Sequence, residues 1–409
     1  MQRAACFLFA AALLQAASTT SWEMNSYLDF VKGRFEGVSL SRDGRLSVAP
    51  RLETFFASEQ PAVWCLAAAP GGAVYAGTGH RGRVFRIDPA GKSSLFWTAG
   101  QPEVFALAVD AQGTVWAGTS PNGKVYRIEK NGQAKEFFSP GEKYIWALAW
   151  APDGSLFVGT GDRGKIFRVD SRGGGEVYYE TGQSHVTALA FDAAGRLLAG
   201  TEPNGILYRV AAKDKAFVLH DANLPEIRAI VSAADGSIYA AALGGGVAGR
   251  PGAPASLTGA PQSGAGTPAV TTSVTVEAQG PGLDVQPKPD PAKPQPPAAG
   301  APLTTPFSPV IDLSGVEKSA VYRIHPDNTV ETLWSSKEEN VYDLLLSGGE
   351  LLLATDGRGR LYRLSPDRKP TLIAQTNEGE PMRLLETSGG LLAAGGSAGK
   401  VFRLAGESG

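Results

Sequence analysis

The stretch Ile145-Trp-Ala-Leu-Ala-Trp-Ala-Pro-Asp-Gly-Ser-Leu-Phe-Val-Gly-Thr160 is one copy of a pattern that recurs along this chain every 41 residues. Its equivalents begin at Val63, Val104, Val186 and Ile227, and the pattern resumes at Val341 and Met382, again 41 residues apart. A regular period of about 20–50 residues indicates a repeat architecture, because one unit cannot bury its own apolar faces and needs its neighbours.

Each unit contains four short runs of Val, Ile, Phe, Tyr and Trp. In the first unit they are Val63–Ala68, Val74–Thr78, Arg83–Asp88 and Ser94–Thr98, separated by turns that contain Gly or Pro. Runs of this length between turns are typical of strands, and four of them in a unit of about 40 residues predict one propeller blade. We therefore predict an all-β fold, a seven-bladed β-propeller with four-stranded antiparallel blades that begin near residues 63, 104, 145, 186, 227, 341 and 382.

The last blade lacks an outer strand, because only a few residues follow Lys400–Leu404. Thr54–Ala57 lies one period before Leu95–Thr98, the outer strand of the first blade. We predict that a strand at residues 50–58 closes the ring in the last blade, so that the propeller spans residues 50–409. Residues 19–49 form a predicted N-terminal extension, in which Gly37–Leu46 suggests one more hairpin at the same seam.

The first residues have the pattern of a secretory signal peptide. Met1–Arg3 is followed by the apolar run Ala4–Ala17 and the small residue Ser18, and Cys6 stands too early in this run for a lipoprotein signal. We predict a signal peptide at residues 1–18 and an exported chain, periplasmic or extracellular and soluble after cleavage. No other stretch has the length of a transmembrane span.

A second deviation from the repeat lies between the fifth and sixth inner strands. The spacing from Ile227 to Val341 is 114 residues, and the extra segment, 244–318, is rich in Pro, Gly and Ala. Such a composition buries too little apolar surface to offset the entropy of ordering, so we expect a disordered insertion within blade five. It is either an expanded loop or a tether that reaches a partner.

Composition excludes several classes of function. The net charge is −2 with both signs dispersed, which argues against a nucleic-acid partner. Removal of the signal peptide leaves Cys65 without a disulfide partner, and this residue stands where other blades carry Ala, as expected of a small buried filler. No His or Cys spacing is typical of a metal site, so we predict no cofactor, no metal ligand and no catalytic residue.

The repeat also separates structural positions from candidate functional ones. Arginine recurs at one position of the third strand, which indicates a structural role, with pairing to aspartates such as Asp110, Asp153 or Asp235. These arginines are Arg86, Arg127, Arg168, Arg209, Arg323, Arg363 and Arg403.

The second residue of the inner strand varies instead, mostly between aromatic residues and arginine, the mixture found at binding hot spots. The residues are Trp64, Phe105, Trp146, Thr187, Arg228, Tyr342 and Arg383. All of these residues except Thr187 are predicted to bind a ligand. His185, which lies just before an inner strand, is predicted to bind it as well. The alternative is that these side chains pack between blades, because Trp64 shares its strand face with Leu66.

The unit Ile145–Asp170 resembles the propeller repeats of streptogramin-lyase-type enzymes and of two-component-regulator sensors, and the wider WD40-like group of exported bacterial proteins. This resemblance implies a β-propeller fold for nearly the whole mature chain outside the insertion. A lyase would need a His base and acidic metal ligands, for which there is no residue-by-residue match.

From the residues and this resemblance we expect a non-enzymatic, monomeric binding or assembly module that contacts a protein, peptide or glycan through its top face. Its partners are expected to include neither nucleic acid nor the interior of a membrane. The alternative function is a metal-assisted lyase or lactonase on the same scaffold.

Overall fold

The computed structural model describes residues 21–244, 317–356, 358–376 and 378–405. The predicted signal peptide and almost all of the predicted insertion lie outside these residues. No helix in the described ranges is long and apolar enough to cross a membrane.

Strands are numbered in chain order, and each group of four consecutive strands after β3 is called a unit. The strands before the first unit are β1 (Val38–Ser41), β2 (Leu46–Val48) and β3 (Arg51–Ala57). Unit one is β4 (Val63–Ala68), β5 (Val74–Thr78), β6 (Arg83–Ile87) and β7 (Ser93–Thr98). Unit two is β8 (Glu103–Val109), β9 (Val115–Ser120), β10 (Lys124–Ile128) and β11 (Ala134–Phe138). Unit three is β12 (Tyr144–Trp150), β13 (Leu156–Gly161), β14 (Lys165–Val169) and β15 (Gly175–Glu180).

Unit four is β16 (His185–Phe191), β17 (Leu197–Glu202), β18 (Ile206–Ala212) and β19 (Lys215–Asp221). Unit five is β20 (Glu226–Ser232), β21 (Ile238–Leu243), β22 (Ser319–Ile324) and β23 (Val330–Ser336). Unit six is β24 (Val341–Ser347), β25 (Glu350–Thr355), β26 (Arg360–Leu364) and β27 (Pro370–Gln375). Unit seven has three strands of its own: β28 (Pro381–Thr387), β29 (Gly390–Gly395) and β30 (Lys400–Ala405).

Antiparallel pairing within the units gives the all-β fold of a β-propeller. Units one, two and five are separate four-stranded sheets, and unit six forms a six-stranded sheet with β1 and β2. Units three and four share one eight-stranded sheet, in which a single bridge between Gly161 and His185 joins them. The first strand of each unit, the inner strand, contacts the inner strand of the next unit, and the inner strand of unit seven contacts that of unit one.

The N-terminal strand β3 is the fourth strand of the sheet that contains unit seven. It pairs antiparallel with β30, and Leu52 lies opposite Leu404. Glu53 forms an ion pair with Arg403, and Phe56 is 6% exposed in an apolar cluster with residues of units one and seven. The two ends of the described chain therefore share one sheet.

The N-terminal extension packs on unit six. The predicted hairpin is present as β1 and β2, but its position at the chain-closure seam was wrong, because β1 pairs with β27. One helical turn, α1 (Tyr27–Val31), precedes it and has a capping box in which Ser26 and Asp29 bond reciprocally. Arg360 donates a hydrogen bond to the carbonyl oxygen of Val31 and so fixes this turn to β26.

Adjacent units pack through a repeated contact between a branched side chain and a glycine. A Cβ atom placed on Gly118 would lie 2.5 Å from Cγ2 of Ile145 in the next unit, and one on Gly200 would lie 2.6 Å from Cγ2 of Ile227. Gly77 and Gly159 stand in the same relation to the following valines. Glycine is therefore required by the close approach of the units rather than by a turn.

Every inner strand contains a β-bulge at its second residue. In unit one, Val63 pairs with Thr78 and Cys65 pairs with Gly77, so that Trp64 is the extra residue. A bulge bends the strand and redirects its side chain. In unit seven the bulge falls between Pro381 and Arg383. The placement of Arg383 as the second residue was therefore wrong: it occupies the third position, which Cys65 occupies in unit one.

Six of the seven recurring arginines of the third strands form ion pairs with carboxylates of the same sheet. Arg168 lies 2.7 Å from Asp153 and Arg323 lies 3.1 Å from Asp235, as the sequence predicted. Arg127 instead pairs with Glu129 at 3.1 Å, and Asp110 accepts hydrogen bonds from backbone N–H groups of its own turn. Because most of these pairs are exposed, each contributes no more than about 1 kcal/mol.

Loss of the Phe56 ring should weaken the sheet that joins the chain ends. Phe56→Ala should lower the free energy of unfolding by about 3–5 kcal/mol, because it leaves a cavity in a packed cluster. The matched control is Phe217→Ala in β19, whose side chain is 57% exposed and whose loss should cost within about 0.5 kcal/mol. Urea denaturation measures both values, and equal losses would show that β3 does not support this sheet.

Candidate functional site

The inner strands enclose a central cavity of about 260 Å³. Residues from all seven units line it, mainly those at the third and fourth positions of each inner strand. Five of the seven third-position residues are small: Cys65, Ala106, Ala147, Ala188 and Ala229. The other two, Asp343 and Arg383, introduce charge into the wall.

Three aromatic residues from consecutive units form a continuous row beside this cavity. The ring centres of Trp64 and Phe105 are 5.6 Å apart, and those of Phe105 and Trp146 are 4.6 Å apart. Tyr144 stacks on Trp146 at 5.0 Å. Only Phe105 and Trp146 of this row line the cavity itself. Tyr342 belongs to the same apolar cluster.

The two indoles of the row have the same kind of partner. Nε1 of Trp64 donates to Oε2 of Glu103 at 2.7 Å, and Nε1 of Trp146 donates to Nδ1 of His185 at 2.9 Å. Both partners lie in the next inner strand, immediately before the branched residue that is counted here as its first position. The two indoles are only 3% and 2% exposed, respectively. Buried N–H groups need such acceptors, so these bonds fix the orientation of both rings.

Glu103 connects the aromatic row to the turn between β5 and β6 of unit one. Its Oε1 atom accepts a hydrogen bond from the backbone N–H of His80 at 3.1 Å. Burial raises the pKa of the Glu103 carboxyl, and the hydrogen bonds from Trp64 and His80 oppose this effect.

The opposite side of the cavity is polar. Thr187 donates through Oγ1 to the carbonyl oxygen of Ile227 at 2.6 Å and so bonds unit four to unit five. Arg228 is buried, with its guanidinium 5.7 Å from the ring centre of Tyr342 and Nη1 at 3.6 Å from Oε1 of Glu226.

A charged pair joins units six and seven at the cavity wall. Nη1 of Arg383 lies 3.3 Å from Oδ1 of Asp343, and the backbone N–H of Leu384 donates to Oδ2 at 2.7 Å. Burial raises the pKa of Asp343, and Arg383 and the backbone N–H groups oppose that effect.

Cys65 is inert in this setting. Its thiol is buried with Sγ at 3.4 Å from the carbonyl oxygen of Val104, and burial raises its pKa to about 12. A nucleophilic cysteine needs a lowered pKa and solvent access. Among the described residues, no group of three His, Cys, Asp or Glu side chains is arranged to hold a metal ion.

The predicted ligand-binding residues thus fall into two groups around one cavity. Trp64, Phe105, Trp146, His185 and Tyr342 lie on or beside the aromatic row, and Arg228 and Arg383 lie on the charged part of the wall. Of the second-position side chains, Phe105, Trp146, Thr187 and Arg228 line the cavity, whereas Trp64 and Tyr342 do not. Sequence reasoning missed Asp343, which breaks the run of small third-position residues.

Comparison with known proteins gives the same class of fold. The WD40 family model (WD domain, G-beta repeat) matches residues 133–169. Virginiamycin B lyase from Staphylococcus aureus superimposes with a TM-score of 0.61 at 13% identity, over 86% of this chain and 98% of that one. The WD40 β-propeller domain of Doa1 superimposes with a TM-score of 0.56 at 10% identity, over 86% of this chain and 97% of that one.

A third similar structure is the extracellular domain of BT4673 from B. thetaiotaomicron. Its TM-score is 0.57 at 11% identity, over 86% of this chain and 39% of that one. No curated protein sequence matches this chain. At these identities the likeness shows the β-propeller fold alone, and it confirms the resemblance to lyase-type, sensor and WD40 propellers.

Gly161 provides the space that the Trp146 indole occupies. A Cβ atom at this position would overlap Nε1 of Trp146 and Nδ1 of His185. Gly161→Ala should therefore displace the indole and lower the free energy of unfolding by about 1–3 kcal/mol. The control is Gly100→Ala, whose new methyl group would meet no atom within 4 Å. Urea denaturation distinguishes them, and an equally small effect for both would mean that the indole packs elsewhere.

The pH dependence of stability should carry a contribution from Glu103. Because the folded pKa is raised above the unfolded value of about 4.3, the folded state binds this proton more tightly, and stability falls as pH rises through that window. Glu103→Gln removes this titration. The stability of the variant relative to wild type should therefore improve between pH 4 and neutrality, whatever its starting value. Urea titrations across this range, with exposed Glu23→Gln as control, would refute the argument if the difference stayed constant or declined.

Proposed function

We propose that this protein is an exported, non-enzymatic binding or assembly module that holds a peptide, protein or glycan at the mouth of its central channel. The observation that carries the proposal is the aromatic row Trp64, Phe105 and Trp146, which is held rigid by hydrogen bonds and borders a cavity with a charged wall. Rigid aromatic residues near a cavity provide contact area at a low cost in conformational entropy.

The proposal includes a ring of seven blades. The eight-stranded sheet counts as two blades, because units three and four share only the bridge from Gly161 to His185. Unit seven becomes a complete blade when β3 is added to its edge. The cyclic contacts of the inner strands support this arrangement. The channel mouth is then the face on which the inner strands begin.

Export rests on the sequence of residues 1–18 and gives the module access to extracellular or periplasmic partners. Binding is favoured over catalysis because the side chains that differ between units are mainly aromatic residues and arginines. A lyase needs convergent acid and base groups with suitable pKa values. Virginiamycin B lyase shares the fold of this chain, so a metal-assisted lyase is the alternative that an experiment must address.

A thermal-shift screen with peptides, oligosaccharides and divalent metals, followed by calorimetry of the best ligand, tests the proposal. Phe105→Leu should weaken binding of that ligand at least about tenfold, because it removes a ring at the centre of the aromatic row. Phe167→Leu is the matched control, since Phe167 is also a buried ring but packs in a separate cluster of units two and three.

Equal affinities for the two leucine variants would contradict the proposal. Stabilisation by a divalent metal, together with turnover of a lactone or of virginiamycin B that His185→Ala abolishes, would favour the lyase instead.

A further inference from the structure

Two arginines border the central cavity at positions where most other units place small or aromatic residues. They are Arg228, at the second position of unit five, and Arg383, at the third position of unit seven. Their position on the cavity wall distinguishes them from the recurring arginines of the third strands, which do not line the cavity. A buried guanidinium keeps its charge at any physiological pH, so it must be compensated by acceptors.

Arg228 is incompletely compensated by the residues that the structure describes. Its side chain is 4% exposed, and its Nε atom has no hydrogen-bond partner. Its contact with Glu226 is 3.6 Å long, beyond hydrogen-bond distance, and its contact with Tyr342 is with the ring. A buried donor without an acceptor destabilises the folded state. Arg228 also lines the cavity, so an anionic ligand there would add compensation for its charge.

Arg383 is held by Asp343 but has donors left. Its hydrogen bond to Asp343 is 3.3 Å long, whereas charge-assisted bonds are usually about 2.7–2.9 Å. Asp343 is more tightly held by the backbone N–H of Leu384. The guanidinium has five N–H donors, and its side chain is partly exposed on the cavity wall. Asp343 therefore positions the Arg383 guanidinium but does not use all of its N–H donors.

We propose that the central cavity binds the carboxylate group of a ligand, with Arg228 and Arg383 as its donors and Phe105 and Trp146 in contact with the ligand's apolar part. This assignment rests on the proposed binding function and names the chemistry that the site recognises. The planar carboxylate matches the fork of a guanidinium, which donates two parallel hydrogen bonds to it.

The local charges favour a monoanion. Glu226 and Asp343 stand beside the two arginines, so the four formal charges cancel and leave no excess of positive charge to hold a dianion. A phosphate monoester carries about −1.5 to −2 charges at neutral pH and would be repelled more strongly by the two carboxylates. The cavity volume of about 260 Å³ suits a small organic acid or the C-terminal end of a peptide, and both present the same group.

Calorimetry with matched acids and amides tests the proposal on the wild-type chain. The probes are phenylacetate and phenylacetamide, and the peptide Gly-Gly-Phe with a free or an amidated C-terminus. We expect the acid of each pair to bind at least about tenfold more tightly than its amide, because the amide cannot accept two charge-assisted bonds. A preference for phenylacetate over the free peptide would identify a small acid as the ligand, and the reverse would identify a chain end.

Three variants assign the effect to the cavity. Arg228→Gln should abolish the preference for the acid, and Arg228→Lys should retain part of it because the charge remains without the fork. Arg168→Gln, which removes an exposed ion pair with Asp153, should leave it unchanged. Thermal melting checks that each variant is folded. If Arg228→Gln does not fold, the comparison of acid with amide on the wild-type chain still tests the proposal.

Equal affinity for acid and amide, an unchanged preference in folded Arg228→Gln, or no binding of any probe at millimolar concentration would overturn the carboxylate site. If Phe105→Leu still weakened binding of a ligand from the screen, the proposed binding function would survive without this assignment.

Discussion

The architecture depends on the contact between a branched side chain near the start of the inner strand, in units one to six, and a very small residue in the second strand of the unit before it. Glycine fills the second-strand position in units one to four, and fully buried alanines fill it in the last three units: Ala241, Ala354 and Ala394. A larger side chain would push the units apart, because interiors are close-packed and adjust little. The spacing of the units around the channel follows from this contact.

The candidate site is formed by inner-strand positions whose residue type differs from unit to unit. The first residue of the inner strand is committed to the contact between units, whereas the bulge releases the second residue from regular pairing. In units one to three the released residue is aromatic, and hydrogen bonds from the indoles to Glu103 and His185 connect neighbouring units. In units five to seven Arg228, Asp343 and Arg383 give the cavity a charged wall. At Phe105, Trp146 and Arg228 the second position thus serves both the packing between units and the cavity wall, whereas Asp343 and Arg383 reach the wall from the regularly paired third position.

The fold was predictable because the hydrophobic period and the turn residues recur in every unit. The register of Arg383 was not, because the period shortens by one residue between units six and seven; the distance from Arg363 to Arg403 is 40 residues and records this change. Helix α1 is one turn long and shows no periodicity, so only its capping residues could have revealed it. The partners of Trp64 and Trp146 depend on contacts between units, which a linear pattern does not specify.

The central proposal is that the two ends of the chain, which share one sheet, complete one ring around the channel. Hydrogen–deuterium exchange of the native protein tests it most directly, because amides that open only with the whole ring exchange at the same slow rate. The account predicts that amides of β3 that bond to β30 are protected to the same degree as those between β29 and β30. Fast exchange throughout β3, with β29 and β30 still protected, would contradict it.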